Sequence, residues 1–208
     1  MPRRFSKAHA ALAFFALSIA GYALWVLASG HLPEALRASF EVRPWVFRLH
    51  LLGGAVALAL SPFQFGAFHP SRRVNAHRLS GRIYSGAVLV AGTASLLLAP
   101  FAATGPIAQL GFGTLGAAWL GSTVLGVRAI RQGNVARHRE WMVRSFALCC
   151  AGISLRLLLP LLMISTAGQW FVSYSIVAWL CWLPNLFLAE RYLRSGRGAF
   201  AQAPAGNL

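Results

Sequence analysis

Two short motifs that join histidine to arginine are the places where this sequence is best equipped to do chemistry. The first is His77-Arg78-Leu79-Ser80-Gly81-Arg82-Ile83-Tyr84, and the second is His138-Arg139-Glu140-Trp141-Met142-Val143-Arg144-Ser145. Each sets a His-Arg pair one to two helical turns ahead of a further arginine, where an apolar segment begins. The likeness of the motifs indicates a faint internal repeat with both histidines at equal depth.

Paired histidines at one depth of a membrane can supply both axial ligands of a b-type haem, and nearby arginines can pair with its propionates. The residues of this hypothesis are His77 and His138 as iron ligands, with Arg82, Arg144, Met142 and Tyr84 around the cofactor. The alternative is that both motifs only anchor the chain, because positive charge is expected at a wet membrane interface. Both interpretations stay open, and no other metal site is predicted.

Arg156 and His50 form a second candidate site, because both lie inside apolar segments. An arginine in a membrane span costs about 3 kcal/mol or more unless it faces a partner or a wet cavity. At about 1.5 Å per residue both side chains fall in the outer third of the membrane, where they can meet. We expect a polar cavity there, with Glu34 or Glu41 as counter-ion and the partner of Arg156 on another span or on the external stretch. This site favours the alternative function, transport of a small anion or protonatable solute, while a snorkelling arginine with only structural partners is the simpler explanation.

Three further polar residues, Gln64, Asn185 and Glu190, lie near the inner ends of apolar segments. A hydrogen-bond network between helices is the ordinary explanation for them, and a proton path or ligand pocket is the alternative. No serine-histidine-acid set, phosphate-binding loop or HExxH motif occurs, and four acidic residues are few for hydrolytic metal catalysis. The sequence therefore does not decide whether the protein is an enzyme.

The composition places these residues in a membrane. Hydrophobic residues make up 57% of the 208 residues and charged residues 11%, whereas a soluble domain carries about a quarter charged residues. The net charge of +15 does not indicate a nucleic-acid partner, because the basic residues stand between apolar runs. They are expected instead to attract anionic lipid headgroups, at about 1 kcal/mol for each cation near the surface.

The apolar segments predict an all-α bundle of about six transmembrane helices in a single domain, residues 1–194, followed by a disordered tail at 195–208. The predicted spans are 10–28, 45–68, 83–103, 107–127, 141–164 and 170–189. Basic loops are predicted at 69–82 and 128–140. Pro62 is expected to kink the second span and free a backbone carbonyl, and the glycine-rich fourth span is expected to be central in the bundle.

The distribution of lysine and arginine predicts the orientation. Fifteen of these nineteen residues lie on one side: three before the first span, four after the second, five from Arg128 to Arg144 and three after the sixth. Basic residues favour the cytoplasm, so both termini are expected inside, in a bacterial cytoplasmic membrane. A homo-oligomer is compatible with this arrangement. The cysteines, Cys149, Cys150 and Cys181, lack metal-ligand spacing and are interpreted as small core residues.

The chain resembles the bacterial membrane family called domain of unknown function 2306 over roughly residues 45 to 191. The resemblance rests on His50, Pro62-Phe63-Gln64, His77-Arg78, Gly81-Arg82-Ile83-Tyr84, His138-Arg139, Trp141-Met142, Arg144-Ser145, Leu155-Arg156, Asn185 and Glu190. It implies a multi-pass membrane protein and supports the choice of these residues, but it implies no reaction. A two-haem cytochrome b needs two histidines on each of two helices, and His50 has no outer partner, so at most one haem is expected.

Overall fold

The computed structural model describes residues 7–32, 37, 40–65 and 74–195. These residues form helices and no strand, and six helical segments among them are long and apolar enough to cross a membrane. The predicted all-helical architecture of six spans is therefore confirmed. Glu34, the predicted tail after Ser195 and residues 69–73 of the first predicted basic loop lie outside the described residues.

The helices follow one another along the chain with short connections. They are α1 (Lys7–Ser29), α2 (Pro44–Phe65), α3 (Val74–Leu98), α4 (Pro106–Arg131), α5 (Val135–Cys149), α6 (Ala151–Ser165), α7 (Trp170–Leu180) and α8 (Leu183–Arg194). A 3-10 turn, Ala99–Phe101, extends α3. Helices α5 and α6 together make the fifth span, and α7 and α8 together make the sixth.

Two helices begin well before the spans that hydropathy predicts. Helix α3 begins at Val74 and α5 at Val135, so only residues 132–134 connect α4 to α5. Gly133, with φ 75°, reverses the chain there, and the Asn134 side chain accepts a hydrogen bond from the Arg137 amide at 2.9 Å. A helix satisfies its own backbone groups, so it can continue into the wet interface beyond its apolar part. Both His-Arg motifs consequently lie on helices and not in the predicted loops.

Helix α4 has the central position that its glycines predict, since it packs against α3, α5 and α7. A β-carbon added to Gly111 would lie 2.9 Å from the backbone oxygen of Ala178 in α7. One added to Gly126 would lie 2.9 Å from the sulfur of Met142 in α5. Small residues of this kind let helices approach closely in lipid.

The remaining helices extend this packing on both sides. Helix α2 lies between α1 and α3, and α8 packs against α5. We call the end of the bundle where α3 and α5 begin and α4 and α8 end the basic end, and the opposite end the far end. The largest buried cluster joins most of the helices and includes Tyr84, Val88, Trp119, Leu148 and Val177.

Prolines act differently in the second and sixth spans. Helix α2 continues through Pro62, and the Ser61 hydroxyl donates at 2.7 Å to the Leu58 carbonyl that the proline leaves free. The sixth span, which we predicted to be continuous, is interrupted between α7 and α8, where Pro184 occupies the first turn of α8. The fifth span has only a local irregularity at Cys150, which keeps helical torsion angles and whose carbonyl accepts from the Ile153 and Ser154 amides. Asn185 bonds to the Cys181 carbonyl at 3.0 Å, so a side chain stabilises the break in the sixth span.

Candidate functional site

The two His-Arg motifs lie in matching register on α3 and α5. Tyr84, seven residues after His77, is hydrogen-bonded to Ser145, seven residues after His138, with 2.8 Å between the hydroxyl oxygens. Seven residues are two helical turns, about 10 Å, so the two histidines lie at one level above this contact. They are close enough to influence each other electrostatically. The structure thus places the two histidines that the sequence singled out at the same level, on α3 and α5.

His138 is held in a defined orientation. Its Nδ1 lies 2.8 Å from the Gly126 carbonyl oxygen, which can only accept a hydrogen bond. In the neutral ring the proton is therefore on Nδ1, and Nε2 carries a free lone pair. Proteins commonly orient metal-binding histidines in this way. His77 is exposed, and its ring makes no hydrogen bond to another described residue.

The two arginines of the haem hypothesis differ in their surroundings. Arg144 donates to both carboxylate oxygens of Glu190, at 2.5 Å from Nε and 3.1 Å from Nη2, and its guanidinium lies 4.7 Å from the centre of the Trp141 ring. This ion pair ties α5 to α8, so Arg144 is not free to bind a propionate. Arg82 is exposed and makes no ion pair with a described residue, so it is available.

Tyr84 and Met142 point into the protein core. Met142 packs against Gly126, and Tyr84 begins a chain of buried hydroxyls that continues through Ser145 to Thr123. Thr123 is 2.7 Å from Ser145 and donates its proton to the Trp119 carbonyl at 2.9 Å. Because the Thr123 hydroxyl proton is already bonded to the Trp119 carbonyl, Thr123 can only accept from Ser145. Ser145 therefore donates to Thr123, and Tyr84 donates to Ser145. The chain therefore has one direction and links α3, α5 and α4.

Trp119 places a buried N–H donor next to this chain. Its indole N–H is buried and has no acceptor in bonding geometry among the described residues, although the Tyr84 hydroxyl is close by. The Tyr84 oxygen receives no proton from Ser145, so a free donor and a free acceptor lie side by side. Sequence reasoning missed Ser145, Thr123 and Trp119 as site residues, because their types are ordinary in a helix core. The one signal in the sequence was that Tyr84 and Ser145 each lie seven residues after a histidine.

Arg156 and His50 lie within electrostatic range of each other. His50 Nδ1 lies 3.0 Å from the Ala91 carbonyl oxygen, which fixes the ring between α2 and α3. Arg156 is close enough to act on His50 electrostatically, and Tyr22 of α1 is near the guanidinium as well. The two predicted residues therefore share one level of the bundle, towards the far end.

The contact partner of Arg156 differs from the expected one. Its Nη1 donates at 3.0 Å to the carbonyl of Gly152, one turn earlier in the same helix, and not to a group on another span. Glycine leaves this carbonyl accessible because it has no side chain to cover it. No carboxylate of the described residues forms an ion pair with Arg156, and Glu41 is exposed at the surface.

Gln64 and Asn185, like Glu190, link neighbouring helices. Gln64 donates to the Ser80 hydroxyl across α2 and α3. Asn185 donates at 3.0 Å to the Ser154 hydroxyl, which joins α8 to α6. Each is a separate polar contact that joins a pair of neighbouring helices.

Comparison with protein families gives one match that covers well over half of the chain. The family model described as predicted membrane protein (DUF2306) matches residues 47–193. Searches of curated proteins and of solved structures found no match.

Proposed function

Because this chain belongs to the DUF2306 family of predicted membrane proteins, we propose that it is a multi-pass membrane protein whose paired histidines at the basic end bind a cofactor. The observation that carries this proposal is the imidazole of His138, which the Gly126 carbonyl holds with Nε2 free, at the same level of the bundle as His77. Haem b is the cofactor whose chemistry these groups fit best.

In this proposal the residues at the site have different roles in binding haem. His77 and His138 are the two axial ligands, and the Gly126 carbonyl orients His138 and makes its Nε2 a stronger donor to iron. Arg82 is the arginine free to pair with a propionate, while Arg144 holds the bundle together through Glu190. A bound haem supplies one-electron redox chemistry at this end of the protein.

An absorption spectrum of the purified full-length protein, expressed with adequate haem, tests this proposal. We expect a Soret band in the parent and its loss in His138→Ala, with a weakened or shifted band in His77→Ala, because one or both axial ligands are removed. His31→Ala, an exposed histidine at the far end, is the matched control and keeps the band. A folded parent without a Soret band, or a band unchanged in both variants, overturns the proposal.

We also propose that the basic end faces the cytoplasm, in a bacterial inner membrane. Fifteen of the nineteen lysines and arginines belong to that side, which favours the cytoplasm and contact with anionic headgroups. A reporter that works only in the cytoplasm is expected to be active when it is fused after Arg131, at the end of α4.

A second function, binding and passage of a small anion, is favoured by Arg156. A guanidinium has five N–H donors, and among the described residues Arg156 spends one of them, on its own helix at Gly152. A cation inside a membrane span without a carboxylate partner is costly to keep. Together with His50 it offers a small monovalent anion a positive, hydrogen-bonding site.

Arg156→Leu separates this function from a structural role. The variant is expected to unfold at the same or a higher temperature, because it loses one bond within its helix and no longer buries a charge. Uptake of small anions such as nitrate or acetate by proteoliposomes is expected to fall at least tenfold. Arg48→Leu, an exposed cation that stacks on Trp45 at 4.8 Å, is the control. A destabilised Arg156→Leu variant with normal uptake contradicts the second function.

A further inference from the structure

A cleft of about 280 Å³ opens at the basic end, between the last turns of α4 and the first turns of α5. Its walls are Leu125, Arg128, Ala129 and Gln132 from α4, with Arg137 and Trp141 from α5. None of these residues belongs to the histidine pair, to the hydroxyl chain or to the Arg156 site. The cleft is therefore a separate place where a ligand can bind.

The rim of the cleft carries positive charge that the protein leaves unpaired. Arg128 and Arg137 are both exposed, and neither guanidinium makes a hydrogen bond or ion pair with a described residue. Glu140, the acidic residue of α5, acts on Arg144 and pairs with neither of them. The first turn of α5 adds the positive end of a helix dipole at the same place. This rim is suited to a group with negative charge and several acceptor oxygens.

The floor of the cleft is apolar and continues into the lipid-facing surface. Leu125 and Ala129 cover one side and Trp141 the other, and the exposed Val124 lies beside Leu125 on α4. Tryptophan is typical of the boundary between headgroups and acyl chains. An amphiphile can therefore place its charged group between the arginines and its chains along α4. A free anion would leave the apolar floor unused.

We infer that this cleft binds the headgroup phosphate of an anionic phospholipid, with Arg128 and Arg137 on the phosphate oxygens and the Gln132 amide as a further donor. The inference rests on the proposed orientation, because the inner leaflet carries the anionic lipids. The contact itself is a property of the cleft, so it can be measured in detergent, where lipid reaches both ends of the bundle. Failure of the orientation and failure of the cleft are then separate results.

Titration of the full-length protein with phosphatidylglycerol, followed by native mass spectrometry, tests the inference. We expect phosphatidylglycerol to remain bound under the conditions in which phosphatidylcholine dissociates. The double variant Arg128→Gln with Arg137→Gln is expected to bind it at least tenfold more weakly, about fivefold for each arginine. The control is Arg131→Gln with Arg194→Gln, which removes the same charge from the same end outside the cleft.

Each other outcome has a definite meaning. If the control loses as much affinity as the cleft variant, the lipid senses only the general surface charge and the inference fails. Equal binding of phosphatidylcholine also overturns it. If inorganic phosphate alone competes for the site as well as the lipid does, the cleft is an anion site and the lipid assignment is wrong. Binding that the cleft variant loses and the control keeps supports the inference even if the variant is slightly less stable.

Discussion

Replacing Gly53 with alanine is expected to destabilise the protein by about 1–3 kcal/mol, whereas the same change at the adjacent Gly54 leaves it as stable or slightly more stable. A β-carbon at Gly53 would lie 2.8 Å from the carbonyl oxygen of Ala87 and 3.0 Å from the β-carbon of Ala91, both in α3. Backbone cannot yield locally, so α2 and α3 must separate. A β-carbon at Gly54 meets nothing within 4 Å.

The Gly53 variant also has a local consequence that a second measurement can detect. His50, one turn before Gly53, bonds to the Ala91 carbonyl, so separating the two helices lengthens this 3.0 Å contact. Thermal unfolding in detergent measures the first effect, and the nitrogen chemical shifts of the His50 ring measure the second. Equal stability of the two alanine variants would show that α2 and α3 are not packed as closely as the structure has them.

Arg144→Leu and Glu190→Leu are each expected to cost about 1–3 kcal/mol, since either change leaves its charged partner alone. Breaking a fully buried pair costs about 3–5 kcal/mol. The side chains here are 22% and 31% exposed, so solvent screening reduces that figure. A guanidinium that donates to both carboxylate oxygens is nevertheless a strong type of ion pair.

A double-mutant cycle isolates this pair from other effects of the substitutions. The variant with both leucines is expected to be more stable than the sum of the single changes implies, with a coupling of about 1–2 kcal/mol measured by chemical unfolding. Arg78→Leu, an exposed arginine at the same end, is the control and should change stability little. Strictly additive losses would mean that Arg144 and Glu190 do not support each other.

Hydropathy was sufficient to predict the number and order of the spans, because each apolar segment must be long enough to cross the lipid. It could not predict where the helices end. Residues around His77 and His138 are polar, yet they continue helices whose backbone bonds need no apolar surroundings. Pro184 marks the break in the sixth span, whereas no glycine or proline stands at the local irregularity at Cys150 in the fifth.

The candidate sites were predictable to different degrees. The two histidines could be paired because their motifs repeat, and Arg156 stands out because charge is rare inside a span. The bond from Arg156 to Gly152 could also have been predicted from the sequence, because a glycine four residues earlier exposes its carbonyl. The hydroxyl chain was not, because the meeting of Tyr84 with Ser145 depends on how three helices pack.

An apolar layer separates the hydroxyl chain around Tyr84 from the level of His50 and Arg156. Tyr84 and Ala91 lie on one face of α3, about 10 Å apart, with the fully buried Val88 between them and Leu58 and Ile153 in the same apolar cluster. That distance is about one third of the hydrocarbon core. A charge that moved from the hydroxyl chain to His50 would cross a similar share of the membrane voltage, about 0.8 kcal/mol per 100 mV. Any such movement would be electrogenic, and its rate would depend on the membrane potential.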